Sequence, residues 1–398
     1  MDTETTGHHR RLALFGIIYF VEGIVLTYFS TFNALYLRSF DISFTRIGII
    51  GGITLIPFVL KILIGLLSDR VNLAGLGHRK PYIILGLVLQ AIAFLLIPLI
   101  SPVTQFPLLV VASVLAALGM STYDTCTDGL SIDVTPEDKR GLVQGIMVGG
   151  RALSGIVAAA AIGFLSERGL WPTVFILIGG LGLLPIPLVL TVAEPKVRPP
   201  GKEFALSAFR SFLDSAFLLF IILGLAYPLV IYSANGMLGT FLHEELGVGL
   251  AQVGLYTSVF GIGAVVGGLM GGPLVSRIGR RASLTSALMI TSVATVGLAV
   301  IPSAGLAWAI VSLFGVAFGY YETVYMAIGM DFSDPRIAAF MFAFVMAAGN
   351  LGIGLGAPLA GTLVDSVGFR WMFGVLAIIN ILSLPLIYGI FRLRKDLG

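Results

Sequence analysis

The chain has 398 residues, of which 57% are hydrophobic and 11% charged, with a mean hydropathy of +1.00. A soluble chain carries roughly 25% charged residues, so most of this surface faces something other than water. The net charge of +3 gives no sign of nucleic-acid binding, and the lone Cys126 excludes a disulfide framework or a cysteine-ligated metal. None of His8, His9, His78 and His243 is expected inside an apolar run, which leaves no metal site and argues against an enzyme.

Taken in order, apolar runs of about 20 residues predict membrane spans. They fall at 12–37, 44–67, 82–100, 106–134, 142–165, 172–193, 214–240, 250–273, 283–302, 306–330, 338–363 and 372–391. The first follows Arg10 and Arg11 and is too long for a signal-peptide core, so it reads as a membrane helix. Pro57, Pro185 and Pro358 interrupt their spans. With the N-terminus inside, 18 of the 24 Lys and Arg residues lie in cytoplasmic segments. Only Arg38, Arg46, Arg168 and Arg370 lie in outer loops, and Lys61 and Arg151 lie within spans. That asymmetry predicts twelve spans in an inner membrane with both termini cytoplasmic.

The polar stretch 194–213, rich in proline and mixed charge, reads as a cytoplasmic linker between six-helix bundles at 1–193 and 214–398. Motifs recur across it. Gly65-x3-Asp69-Arg70 is echoed 207 residues on by Gly272-x3-Ser276-Arg277. Asp133-x-Thr135 is echoed 198 residues on by Asp331-x-Ser333, and Gly163-x-Leu165 by Gly361-x-Leu363 at the same offset. The halves read as repeats.

The loop Gly65-x3-Asp69-Arg70, followed by Gly77-His78-Arg79-Lys80, resembles the signature of the major facilitator superfamily. Its second copy ends Arg277-x-Gly279-Arg280-Arg281, with Ser276 where the signature carries an acid. A narrower likeness lies in Pro57-x3-Lys61, Tyr19-Phe20-x-Glu22-Gly23 and Tyr123-Asp124-x3-Asp128-Gly129. These resemble AmpG-type muropeptide permeases and the acetyl-coenzyme A and folate–biopterin transporters. The resemblance implies an all-α fold of two pseudo-symmetric six-helix bundles, with spans 1, 4, 7 and 10 lining a central cavity. It also implies a gating loop built on Gly65, Asp69, Arg70, Arg79 and Lys80 and its copy at Arg277, Gly279 and Arg280. In that loop Asp69 would meet the N-terminus of span 11.

Ionisable groups inside spans cost about 2.5–3.5 kcal/mol each by insertion scales, so each needs a reason. They are Glu22, Lys61, Asp124, Asp128, Arg151 and Glu322. Asp124 and Asp128, four residues apart, share one helix face. Arg151 is expected to bridge to one of them, while Lys61 is near enough to the cytoplasmic end to snorkel. Four acids against two bases leave two carboxylates without an internal cation. Glu22 and Glu322, with no basic neighbour in their own spans, are the expected proton-coupling groups. Tyr123, Tyr232, Asn235 and Tyr321 are expected around the cavity, together with Tyr19, Tyr28, Tyr227, Tyr320 and Tyr325. Each tyrosine ring offers an apolar face and a hydroxyl to an amphipathic solute.

No nucleotide-binding loop is present, so concentrative transport needs a proton or sodium gradient rather than a cofactor. The sequence points to a monomeric, proton-coupled symporter of a polar or amphipathic organic solute, in contact with lipid. A uniporter or exporter of the same fold, or a non-transporting assembly protein, stands as the alternative. Span 5 lacks the Gly-Pro motif of superfamily drug antiporters, which argues against a multidrug exporter.

Overall fold

The computed structural model describes residues 2–75, 77–136, 139–192, 194, 214–332 and 338–394. Twelve helices in it are long and apolar enough to cross a membrane. They are Arg10–Arg38, Phe44–Ser68, Lys80–Leu99, Phe106–Val134, Leu142–Glu167, Trp171–Thr191, Ser215–Glu244, Leu250–Ile278, Arg280–Val300, Ala304–Asp331, Phe344–Val367 and Phe369–Leu393, taken below as spans 1 to 12. No strand occurs among the described residues. Span 7 runs further than expected and takes in His243, whose Nδ1 lies 2.8 Å from the Val248 carbonyl in its last turn.

Proline sets the breaks in spans 2 and 6, whereas Pro358, expected to interrupt span 11, sits inside an unbroken helix. Span 2 is two helices, Phe44–Ile53 and Ile56–Arg70, because Pro57 has no N–H to return to the Ile53 carbonyl. Span 6 breaks in the same way between Gly182 and Ile186, with Pro185 and Pro187 at the restart. In span 1 a π-turn at Tyr28–Phe32 widens the helix, a feature that no residue pattern announced.

The chain forms two compact units. One holds residues 1–40 and 53–199, the other residues 41–52 and 200–398. The first half of span 2 therefore packs with the C-terminal residues. Asp365 Oδ1 accepts from the Phe44 amide at 3.0 Å, and Oδ2 accepts from the Thr45 amide and hydroxyl, both at 2.7 Å. Residues 195–213, the expected linker, lie outside the described residues. Asp214 caps span 7 by accepting from the Ala216 amide at 3.1 Å.

Within the first unit the main packed pairs are spans 1 with 5, 2 with 4, 3 with 4 and 3 with 6. Within the second they are spans 7 with 11, 8 with 10, 9 with 10 and 9 with 12. Each pair recurs six spans on, as duplication requires. Glycine makes the close pairs possible, since lipid gives packed helices no hydrophobic advantage and contact must come from short backbone approach. A Cβ on Gly86 would stand 2.6 Å from the Gly119 carbonyl, and a Cβ on Gly119 equally close to that of Gly86. Gly263 and Gly267 of span 8 meet Gly315 and Gly319 of span 10 through a similar seam. Outward-facing positions stay apolar: Leu99, Leu269 and Trp371 are all more than 70% exposed, the distribution a lipid-facing surface needs.

Candidate functional site

The charged groups of the first unit form one network around Asp124. Arg151 Nη2 lies 2.8 Å from Glu22 Oε1 and 3.7 Å from Asp124 Oδ1, and Lys61 Nζ lies 3.7 Å from Asp124 Oδ2. The Arg151 bridge thus reaches Glu22 first, and Asp128 not at all. The helical depth that the sequence supplies could not show which way each side chain turns. Glu22 is almost fully buried, whereas the Arg151 side chain is 40% exposed. Lys61 points into the network rather than snorkelling away.

Asp128 is the member with no cation partner among the described residues. Its carboxylate accepts from the Tyr19 hydroxyl, which also lies 3.4 Å from Asp124 Oδ1. The Arg151 guanidinium sits over the Tyr19 ring, 4.7 Å from its centroid. Tyr19 therefore touches every acidic branch but Glu22, a role its place in the sequence did not mark. Tyr123 is wholly buried beside the network with an unpartnered hydroxyl. Three carboxyl groups share two cations, so the network as a fully ionised set carries one negative charge.

In the second unit Glu322 accepts from the Tyr227 hydroxyl at 2.7 Å. No Lys, Arg or His among the described residues pairs with it. Tyr227 lies against Tyr321 and Tyr325, with ring centroids 4.6 Å apart in both pairs, and Tyr325 stacks on Phe220 at 4.4 Å. Tyr321 is fully buried and its hydroxyl has no partner. Tyr232 meets Phe318 edge to face at 4.9 Å, and these two with Glu322 are only half-buried. Asn235, one turn along span 7, is also half-buried and makes none of these bonds.

The two clusters are repeats of each other. Asp124 and Glu322 are 198 residues apart, the offset already set by Asp133 and Asp331, and so are Tyr123 and Tyr321. Each acid sits on the fourth helix of its unit and lies next to a tyrosine hydroxyl from the first, Tyr19 or Tyr227. This correspondence was present in the offset and needed only to be carried to the acids themselves.

The signature loops hold the helix ends that carry these groups. Arg79 is buried, with Nε 3.3 Å from Asp133 Oδ2 and Nη1 donating to Ser68 Oγ at 2.6 Å. In the second unit Arg280 pairs with Asp331 through Nε at 2.5 Å and Nη2 at 3.1 Å. Glu194, expected only as the start of the linker, caps span 3 by accepting from the amides of His78, Arg79 and Lys80 at 2.8, 3.1 and 2.5 Å. The Lys80 ammonium donates to the Leu190 carbonyl at 3.1 Å. Gly65 is half-buried near Thr125, Arg70 and Arg277 are exposed, and Gly279 turns the chain with φ +80°. The Asp69 side chain, expected at span 11, lies outside the described residues.

Comparison with known proteins matches residues 15–343 to the family described as Major Facilitator Superfamily. The anhydromuropeptide permease of Escherichia coli (strain K12) is 26% identical over 351 residues, covering 83% of this chain and 70% of that protein. The folate-biopterin transporter of Synechocystis sp. is 27% identical over 259 residues, covering 62% and 51%. Among solved structures, a bacterial homologue of the human lysosomal transporter Spinster aligns over 100% of this chain and 99% of its own. The TM-score is 0.80 at 17% identity, a likeness of fold.

Proposed function

The chain belongs to the major facilitator superfamily, and from that premise we propose that it is a proton-coupled symporter of a polar or amphipathic organic solute. In this reading it is a monomer in the inner membrane with both termini cytoplasmic. It works by alternating access around groups near the bilayer midplane.

One observation carries the proposal: the Glu22–Arg151–Asp124–Lys61–Asp128 network has one carboxyl more than it has cations. A charge left uncompensated in a membrane interior is strongly disfavoured, so the surplus carboxyl calls for a proton. Asp128 is the group to take it. Glu22 and Asp124 each have a cation within 4 Å, whereas Asp128 has only the Tyr19 hydroxyl. In this reading the proton site of the first unit is Asp128 rather than Glu22, which with Glu322 was the sequence's candidate. When Asp128 is protonated, the Tyr19 hydroxyl is free to turn to Asp124, 3.4 Å away, so one phenol reports the loading of one acid to the arginine-bearing side of the network.

The relatives support an organic solute in general. Two of the relatives are named for anhydromuropeptides and for folate and biopterin. The test is uptake into proteoliposomes under an imposed pH gradient, with a solute panel that includes anhydromuropeptides, folates, nucleosides and sugars. Wild type should accumulate its solute only with the gradient. Asp128→Asn should lose accumulation and keep solute exchange. Uptake indifferent to the gradient would refute coupling.

A further inference from the structure

The Glu322 cluster is the Asp124 cluster with its cations taken out. In the first unit Asp124 has Arg151 and Lys61 within 4 Å. The residue 198 positions after Arg151 is Gly349, and the residue 207 positions after Lys61 is Gly268. Asp128 likewise becomes Met326, so at these two positions span 10 keeps one carboxyl where span 4 has two. A Cβ at Gly349 would make ordinary van der Waals contact with Pro228 Cγ at 3.7 Å and the Gly224 carbonyl at 3.8 Å, so a side chain can start there without a clash.

We propose that Glu322, with Tyr227, Tyr232 and Phe318, is a subsite for a cationic group of the transported solute, which occupies the place that Arg151 takes in the first unit. Three features fit an ammonium or guanidinium ligand. The carboxyl accepts from the Tyr227 hydroxyl at 2.7 Å and has no Lys, Arg or His partner among the described residues, so an arriving cation takes the place of the proton that balances it when the subsite is empty. Phe318, four residues before Glu322 on the same face of span 10, meets Tyr232 edge to face, both rings being half-buried, and ring faces and carboxylates together recognise organic cations. Beside Tyr227 the hydroxyl of the fully buried Tyr321 has no hydrogen-bond partner among the described residues. The inference rests on the transport reading for its purpose, but binding at the subsite requires no gradient.

The test uses the full-length protein in detergent and two matched probe sets, each an amine, its alcohol and its acid. One is tryptamine, tryptophol and indole-3-acetate; the other is 2-phenylethylamine, 2-phenylethanol and phenylacetate. Direct binding is measured for wild type, Glu322→Gln, Gly349→Arg and Asp128→Asn. The amine should bind wild type at least tenfold more tightly than its alcohol in one set or both. That preference should disappear in Glu322→Gln and in Gly349→Arg, whose guanidinium fills the subsite from within, and persist in Asp128→Asn. Amine and alcohol binding alike to wild type would overturn the proposal, as would an amine preference surviving in Glu322→Gln. Should Gly349→Arg fail to fold, Glu322→Gln alone decides. Loss of proton coupling in Asp128→Asn with amine preference intact would separate the two readings, since each then fails or stands by itself.

Discussion

Replacing Arg151 by methionine removes a charge while leaving most of the side-chain volume, and a cycle with Glu22→Gln isolates the ion pair with Glu22. Glu22 is 2% exposed and its Oε2 has no other partner, so the variant strands a buried carboxylate. Breaking a buried pair costs about 3–5 kcal/mol, and the 40% exposure of the arginine side chain places this case near the lower end, about 3 kcal/mol. Glu22→Gln is milder. Arg151 keeps Asp124 at 3.7 Å and partial contact with solvent, so the loss is that of one charged hydrogen bond, about 1.5 kcal/mol. With both changes no charge is stranded, and the double variant should lose about 2 kcal/mol rather than the sum of the singles. The cycle should therefore show a coupling energy of about 2–3 kcal/mol, read by reversible unfolding in mixed SDS micelles. Strictly additive losses would mean that Glu22 is satisfied by something other than Arg151, and the network as drawn would be wrong.

Tyr19→Phe deletes the hydroxyl shared by Asp128 and Asp124 while keeping the ring under Arg151. Proton-driven accumulation should fall at least tenfold with solute exchange preserved, as measured in proteoliposomes. Glu194→Ala removes the acceptor for three amides at the start of span 3 and should destabilise the protein by about 1–2 kcal/mol in the same unfolding assay, with Glu194→Gln less harmful. Gly319→Val places a branched side chain against the Ala264 backbone across the span 8–span 10 seam. It should cost about 1–3 kcal/mol or more, whereas Gly272→Val, with open space around it, should be close to neutral.

The fold was legible because membrane helices are specified by length and apolarity, and both are linear properties of a sequence. Twelve spans were expected and, among the described residues, twelve helices are long and apolar enough to cross a membrane, with Pro57 and Pro185 marking breaks in spans 2 and 6 and Pro358 marking none. The site was legible in part. Insertion cost picked out Glu22, Lys61, Asp124, Asp128, Arg151 and Glu322, and helical rise gave their depth. Rise carries no information about how neighbouring helices are rotated, so the partner of Arg151 could not be chosen, and Glu22 looked unpaired when it is Asp128 that lacks a cation. The same gap left Tyr19 and Tyr227, expected around the cavity, without their acid partners, and left Glu194 in what read as a linker. The repeat offset could have joined the two acids, by showing that Asp124 and Glu322 hold the same position in two copies of one unit.

The most direct test of the account is solute-driven proton movement. Proteoliposomes in weakly buffered medium, with no imposed gradient, receive an outside pulse of a solute identified by uptake, and the external pH is recorded. Wild type should alkalinise the medium in proportion to solute entry, and Asp128→Asn should admit solute by exchange without any pH change. Solute entry with no alkalinisation in wild type, or an unchanged signal in Asp128→Asn, would contradict the assignment of the surplus carboxyl as the coupling site.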